Sequence, residues 1–459
     1  MKRIVSAIIC LLAWLPLHAQ RPAERCFVSP AVEAAIADVA ARIDNPVVRR
    51  MFVQCLPNTL DTTVRPDGYI ITGDIDALWL RDSSAQVWPY LRFVRQDDGL
   101  RRLIADLLRR QFRCVALDPY ANAFYADTLA PESPWTSDYT AMRRGVHERK
   151  WELDSPMYVL RLACGYYEAS ADSALLRDTL WATAVEHILR TLREQQRRDG
   201  WERSPYRFMR RTHAMHDTQS NSGYGHPGRP CGLVASSFRP SDDCTLFPFL
   251  IPSNFMAAHV LKKTARLLSD VTDRSDLADE CTAIAADIET GLKAHATVRH
   301  PKYGTVYAFE VDGFGSALLM DDANIPSLLA LPYIAGVSVA DSVYRNTRRF
   351  VWSDDNPYFF RGAAGEGIGG PHEGLGYIWP MSVIVRALTS DDDDEIRACL
   401  RSLARTTADT GFMHEAYRQE DASRFTRAWF AWANTLFGEL ILHLDEQGKL
   451  HLTDFDAAS

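Results

Sequence analysis

The 459-residue chain lacks the signatures of several protein classes. It has no Cys-x-x-Cys pair and no cysteine or histidine pair at zinc-site spacing, which argues against a zinc centre. It has no basic block and a formal net charge of −8, which disfavours nucleic acid as a partner. No low-complexity linker and no strict repeat divides it. The composition, 47% hydrophobic and 24% charged, is that of a globular protein with a large core.

Long apolar runs are also absent, except for a short one at the N-terminus. Lys2 and Arg3 precede the apolar stretch 4–15, and Leu17-His-Ala19 precedes a cleavage position before Gln20, the pattern of a secretory signal peptide. The stretch is shorter than the roughly 20 residues of a membrane-spanning helix. We therefore expect a signal peptide over 1–19, a single domain over 20–459, and an exported protein, periplasmic or secreted, with no membrane association after cleavage.

Strand patterns are few and short, the best being 68–72 and 305–311. Apolar residues instead recur at steps of three and four, as in Leu153, Met157, Leu160, Cys164 and Tyr167, which is the period of a helix. Further helices are predicted over 31–43, 83–94, 97–113, 174–196, 254–269, 277–292, 340–350, 373–389, 393–406 and 429–440. A chain of alternating helices and loops favours an all-α fold, an (α/α)6 toroid with a pocket at one rim.

Three short motifs match well-known patterns without their structural context. Gly365 to Gly370 reads GEGIGG, but no strand precedes it and Pro371 follows, so a dinucleotide site is disfavoured. Asp74-Ile-Asp76 has the form of a metal-binding pair, but no sugar-nucleotide domain accompanies it. The run 391–395, DDDDE, lacks the glycine and the spacing of a calcium loop and suits a helix start. No metal or other cofactor is therefore expected.

Five segments combine aromatic and charged residues at predicted helix starts or in the loops before them. Aromatic faces stack on sugar rings while carboxylates, arginine and histidine bind hydroxyl groups, so this mixture favours a carbohydrate pocket. The segments are TGDIDALWLRDSSAQ (72–86), WELDS (151–155), RPSDDCTLFPFLIPSN (239–254), GPHEGLGYIWP (370–380) and GFMHEAY (411–417).

The eight cysteines after the signal peptide are expected mainly as buried free thiols, with one or two disulfides possible after export.

Four of these motifs, TGDIDALWLRDSSAQ, WELDSP, RPSDDCTLFPFLIPSN and GFMHEAY, occur in an order that resembles glycoside hydrolase family 125. The resemblance covers roughly residues 30–445. It implies an (α/α)6 fold and an exo-acting α-1,6-mannosidase that is metal-independent and inverts the anomeric centre. The implied partner is an α-mannoside oligosaccharide, from mannan or an N-glycan, and the oligomeric state stays open.

Inverting hydrolysis requires one protonated and one ionised carboxyl group on opposite sides of the scissile bond. The resemblance implies an acid in the SDD motif and a base in the MHE motif, which we assign to Asp242 and Glu415. Because Asp243 is adjacent to Asp242, the assignment of the general acid stays open between these two residues. Apolar neighbours such as Leu246 and Phe247, or a second carboxylate, would help the acid to keep its proton.

The sugar-binding residues are predicted from position and chemistry alone. Hydroxyl contacts are expected first from the 72–86 segment and second from the 370–380 segment, with Trp79 as a stacking platform. The predicted residues are Asp74, Asp76, Trp79, Arg81, Asp82, Asp243, His372, Glu373, Trp379 and His414.

Two alternatives remain open at this point. An epimerase or polysaccharide lyase on the same toroid would use histidine pairs, or a tyrosine or histidine base with arginine, and the two acidic motifs argue against both. A non-catalytic glycan-binding protein would need the aromatic residues but neither acid.

Overall fold

The computed structural model describes residues 22, 24–130 and 132–455; the predicted signal peptide lies outside them. Fourteen α-helices occur in this part of the chain. They are α1 Pro30–Ala41, α2 Pro46–Cys55, α3 Asn58–Thr62, α4 Leu80–Val87, α5 Asp98–Leu117, α6 Asp154–Ser170, α7 Thr179–Gln195, α8 Ile251–Val271, α9 Ser275–His295, α10 Leu331–Ala335, α11 Ser342–Val351, α12 Pro380–Leu388, α13 Asp393–Arg405 and α14 Ala431–Glu446.

The strands are short and lie in the connections between helices. Six antiparallel sheets of two or three strands each are present in the described residues. The strands are β1 Val64–Arg65, β2 Tyr69–Ile70, β3 Leu78–Trp79, β4 Ala123–Phe124, β5 Val146–Glu148, β6 Phe249–Leu250, β7 Thr297–His300, β8 Gly304–Tyr307, β9 Glu310–Val311, β10 Ala317–Leu318, β11 Phe359–Arg361, β12 Glu366–Ile368, β13 Tyr377–Ile378, β14 Tyr417–Arg418 and β15 Asp421–Phe425.

Every second helix from α4 onward belongs to an inner ring. Helices α4, α6, α8 and α10 contact one another in succession, and α12 contacts α14, which returns to α4. The helices between them pack outside: α5 on α6, α9 on α8, α13 on α12, and α2 on α14. The predicted (α/α)6 architecture, mostly helical with a few short strands, is confirmed.

The division into two layers follows from the distribution of apolar residues. Helix α4 is buried along its whole length, and α6 and α14 are buried on all sides over most of theirs. The outer helix α13 instead buries one stripe, Ile396, Cys399, Leu400 and Leu403, and exposes its acidic start. A helix that is apolar all round must be covered on every side, whereas an amphipathic helix needs only one covered face.

Some local predictions were wrong. The predicted helix 373–389 begins only at Pro380, because Gly374 and Gly376 adopt positive φ and Trp379 is extended. Helices α2, α3 and α10 were not predicted. Leu246, expected as a buried apolar neighbour of the acid, is 55% exposed. The cysteines of the described part, eight in all, are free thiols there, and none of its helices has both the length and the apolarity to cross a bilayer.

Candidate active site

A cavity of about 410 Å³ opens at the end of the ring where α4, α12 and α14 begin. The residues immediately before these three helices are Trp79, Trp379 and Phe430, and all three line the cavity. These three residues line one cavity because the inner helices that follow them start at the same end of the ring, so the residues before the helices lie around the same space. The cavity wall is therefore aromatic on several sides, with polar groups between the rings.

The adjacent aspartates of the SDD motif point in different directions. Asp242 has φ of 65°, a left-handed conformation that costs an ordinary residue energy and is held here by a tight turn. The Asp242 N–H donates to the Arg239 carbonyl, and the Arg239 N–H donates to the Asp243 carbonyl. This turn exposes 22% of the Asp242 side chain to the cavity and leaves only 2% of Asp243 exposed.

Asp242 faces a group of buried polar residues beneath the cavity. Arg81 donates from Nη2 to its Oδ1 at 3.1 Å, and Asn122 Nδ2 lies 3.4 Å from the same oxygen. Burial alone would raise the pKa of Asp242, but Arg81, a hydrogen bond with Glu152 and the charge of Lys150 together hold that pKa below its usual range. The neighbouring carboxylate that the sequence suggested for Asp242 is thus Glu152 rather than Asp243.

Asp243 makes a different set of contacts. Its Oδ1 lies 3.3 Å from Nδ1 of both His216 and His372, and Ser241 Oγ lies 3.3 Å from its Oδ2. Burial opposes a charge on His372, but the hydrogen bond and the charge of Asp243 outweigh it and raise the pKa of His372 to about 9. His372 is therefore protonated at neutral pH and lies between the two acidic motifs.

Glu415 reaches the cavity from the loop that precedes β14. Its side chain is 4% exposed, Arg427 Nη1 lies 3.3 Å from Oε1, and Thr426 Oγ1 donates to Oε2 at 3.2 Å. Glu373 lies beside it, and burial together with the hydrogen bond and charge of Glu415 raises the pKa of Glu373 to about 7. The Glu415 carboxylate is thus held by donors at both oxygens next to a carboxyl that is partly protonated near neutral pH.

One group in the described part of the chain has the composition of a cation site. Potential ligand atoms of His372, Glu373 and Glu415 lie within 4.8 Å of one another. A histidine must be neutral to bind a metal, whereas Asp243 keeps His372 protonated. A metal ion at this place would have to displace the proton that Asp243 holds on His372, which weakens metal binding at neutral pH.

Nine of the twelve residues predicted for the site line this cavity. The three others lie elsewhere. Asp74 accepts from Arg427 Nε at 2.8 Å, behind Glu415, while the Asp76 side chain is exposed outside the lining. His414 bonds the Thr407 carbonyl at 3.2 Å and stacks on Phe425, away from the cavity. The nine are Trp79, Arg81, Asp82, Asp242, Asp243, His372, Glu373, Trp379 and Glu415.

Several lining residues were not predicted. Arg210 and Asp217 come from the long loop before α8, and Arg210 stacks on Trp135 at 3.7 Å. Arg427, Phe430 and Trp432 belong to the segment RAWFAW, whose mixture of arginine and aromatics matches that of the five selected segments. The length of the loop and this mixture are the signals that could have identified them.

Comparison with solved structures first defines the class. A bacterial glucoamylase in complex with acarbose superposes with a TM-score of 0.55 over 90% of this chain and 56% of the glucoamylase, at 11% identity, which shows a shared fold alone. A *Streptococcus pneumoniae* metal-independent α-mannosidase, solved in a non-productive complex with α-1,6-mannobiose, superposes with a TM-score of 0.87 and 37% identity over 91% of this chain and 99% of that one. The fold is that of (α/α)6 glycoside hydrolases.

The family model described as "Metal-independent alpha-mannosidase (GH125)" matches residues 45–442. The chain is also 41% identical to the meiotically up-regulated gene 157 protein of *Schizosaccharomyces pombe*, over 97% of this chain and 91% of that protein. The chain belongs to glycoside hydrolase family 125. Of the alternatives that the sequence left open, the glycoside hydrolase with α-mannosidase activity is confirmed.

Proposed function

We propose that the protein is an exo-acting, inverting α-1,6-mannosidase that removes terminal mannose from the non-reducing ends of mannan or N-glycan oligosaccharides. The observation that carries this proposal is a single cavity that contains both Asp242 and Glu415, in a chain of the GH125 family. The related *Streptococcus pneumoniae* enzyme was solved with α-1,6-mannobiose, which supports the same linkage here.

The exo mode is supported by the size and the floor of the cavity. Its volume of about 410 Å³ is near the small end of the range for small-molecule sites, about 300–1,000 Å³. Arg81 and Asp82, both almost fully buried, close its inner end. A chain end with one or two sugar rings fits such a space, whereas an internal stretch of a polysaccharide would need an open groove.

Two carboxyl groups perform the reaction in this proposal. Asp242 donates a proton to the glycosidic oxygen as the bond to the anomeric carbon breaks. Glu415 removes a proton from the water that attacks the opposite face of the same carbon. Arg427 and Thr426 orient the Glu415 carboxylate, because each donates to one of its oxygens. One displacement of this kind converts an α-mannoside into β-mannose.

The test compares α-1,2-, α-1,3- and α-1,6-linked mannobiose as substrates, with proton NMR of the first product. We expect release from the α-1,6 isomer and β-mannose before mutarotation. A preference for another linkage would refute the specificity, and α-mannose as first product would refute Glu415 as general base.

The same proposal includes export, which rests on the N-terminal sequence alone. Lys2, Arg3, the apolar stretch and the Leu17-His-Ala19 segment are expected to direct secretion and cleavage before Gln20. N-terminal sequencing of the protein recovered from periplasm and medium tests this. A mature protein that retains residues 1–19 in the cytoplasm would refute it.

A further inference from the structure

The carboxyl groups beneath the cavity outnumber the cations that they contact. Arg81 lies 2.5 Å from Glu152 Oε2, 3.1 Å from Asp242 Oδ1, and 3.5 Å from both Asp82 and Asp154. All four carboxyl groups have little access to water, with Asp242 the most exposed at 22%. One guanidinium is in direct contact with all four buried carboxyl groups, and this local excess of negative charge favours at least one bound proton.

The amide of Asn122 shows where that proton is needed. Its Nδ2 lies 3.0 Å from Glu148 Oε2, 3.3 Å from Glu152 Oε1 and 3.4 Å from Asp242 Oδ1. An amide has two hydrogens for these three acceptors. A proton shared between Glu152 and Asp242 supplies the missing donor.

The two members of this pair differ in their access to the cavity. Asp242 lines the cavity, whereas Glu152 is fully buried and does not line it. Burial raises the pKa of Glu152 well above its usual range, only partly offset by Arg81, while the pKa of Asp242 is held low. At rest the shared proton therefore resides on Glu152, on the side of Asp242 that faces away from the cavity.

Other charged groups act on the same pair. Lys150 donates to the Asp242 carbonyl at 2.8 Å and to Asp217 at 2.7 Å, so its charge is shared with a further carboxylate. His372, which lines the same cavity, adds a further positive charge near Asp242. The charged and titratable groups that face the pair are Arg81, Asp82, His147, Glu148, Lys150, Asp154 and His372.

We propose that Glu152 is a positioning residue that stores, behind Asp242, the proton that Asp242 delivers to the leaving oxygen. This rests on the proposed function, because it requires Asp242 to be the general acid. One proton passes from Glu152 to Asp242 and then to the glycosidic oxygen as the carbon–oxygen bond breaks. Glu152 regains a proton from solvent after product release, while Glu415 releases to solvent the proton it took from the attacking water.

The test uses Glu152→Gln in the full-length enzyme and the pH dependence of kcat/KM with α-1,6-mannobiose and with an activated aryl α-mannoside. Without the stored proton, Arg81 and Lys150 hold Asp242 ionised. The basic limb of the mannobiose profile should therefore move to lower pH, with a loss of about tenfold for each pH unit of displacement. The aryl mannoside needs little protonation of its leaving group and should retain most of its rate.

A matched control replaces a buried glutamate elsewhere. Glu439 is 6% exposed, accepts from Tyr333 at 2.9 Å and does not line the cavity. Glu439→Gln should leave both pH profiles in place. A purely structural role of Glu152 would lower the rates on both substrates together, without displacing the limb, and would overturn the proposal.

A second variant decides the question if Glu152→Gln does not fold. Ser155 Oγ donates to Glu152 Oε2 at 2.8 Å and stabilises its ionised form. Ser155→Ala should raise the pKa of the pair and move the basic limb to higher pH; an unchanged limb refutes the stored proton. Asp242→Asn distinguishes a failure of the acid assignment from a failure of the role of Glu152. If Asp242→Asn lowers the rates on mannobiose and on the aryl mannoside equally, Asp242 is not the general acid. If Asp242→Asn loses activity selectively on mannobiose but the Glu152 and Ser155 variants leave the basic limb in place, only the role of Glu152 fails.

Discussion

Replacement of the two adjacent aspartates one at a time should give different defects, although the side chains are neighbours in sequence. Asp242 is exposed to the cavity and contacts Arg81 and Asn122. Asp243 is buried and contacts His216 and His372. Asp242→Asn removes the proton donor and keeps the shape of the side chain. Asp243→Asn removes the charge that holds the imidazolium of His372 and leaves the donor in place.

The expected magnitudes follow from these contacts. Asp242→Asn should lose about 10²–10⁴-fold in kcat/KM on mannobiose, the contribution of a general acid, and far less on an aryl mannoside. Its stability should change little, because Arg81 keeps Glu152 and Asp154 as partners. Asp243→Asn weakens buried charge-assisted hydrogen bonds and should cost about 1.5–3 kcal/mol of unfolding free energy. Its activity loss should be similar on both substrates.

The assay measures kcat/KM for both substrates on Asp242→Asn, Asp243→Asn and Glu415→Gln, together with urea unfolding of each. Glu415→Gln serves as the reference, because water activation is needed whatever group leaves, so both rates should fall. If the selective loss on mannobiose appears in Asp243→Asn, the acid is the other aspartate. If neither variant is selective, the SDD motif is only a turn and the reasoning from its geometry is refuted.

Three further predictions concern metal dependence, pH and the loop before α8. Exhaustive chelation should leave activity intact, because the proton on His372 opposes metal binding by the group His372, Glu373 and Glu415; loss with EDTA and recovery with calcium would contradict this. The pKa of His372 is raised, so its interaction with Asp243 stabilises the fold fully below pH about 6.5 and is lost as pH rises through about 9. Because the His372 side chain is 36% exposed, we expect its contribution to be about 1–2 kcal/mol of unfolding free energy. The stability advantage of the wild type over Asp243→Asn should therefore be larger at pH 6 than at pH 10 by this amount; equal differences at both pH values would refute it. Asn254→Ala should cost about 2–4 kcal/mol in urea unfolding, because the buried Val234 N–H and carbonyl lose their partner, and a cost near zero would contradict this accounting.

Much of the fold could be predicted because its information is local. The apolar residues of α6 repeat every three or four positions, and those of α9 do the same, so each helix is marked within its own segment. The start of α12 was misplaced because Leu375, Ile378 and Trp379 continue the helical period of apolar residues. The extended path of this segment instead depends on positive φ at Gly374 and Gly376 and on pairing of β13 with β14, about forty residues away. Helix α2 starts with Asn45 as N-cap and Pro46, a signal that the apolar period alone does not contain.

The sequence by itself indicated an acidic and aromatic site, and its contiguous motifs, through their resemblance to the family, assigned the base to Glu415 and the acid to Asp242 or the adjacent Asp243. It could not separate a side chain that enters the cavity from one that turns away, as Asp76 and His414 do, since that depends on backbone direction and packing.

Only the tertiary structure brings Glu152 and Asp242 to the same arginine and the same amide, the arrangement from which the stored proton is inferred. The pKa of Glu152 depends on its complete burial, on Arg81 and on Asp242, residues that are 71 and 90 positions away in the chain. Charges act through space and water is excluded by packing, so a protonation state is a property of the folded neighbourhood rather than of a motif.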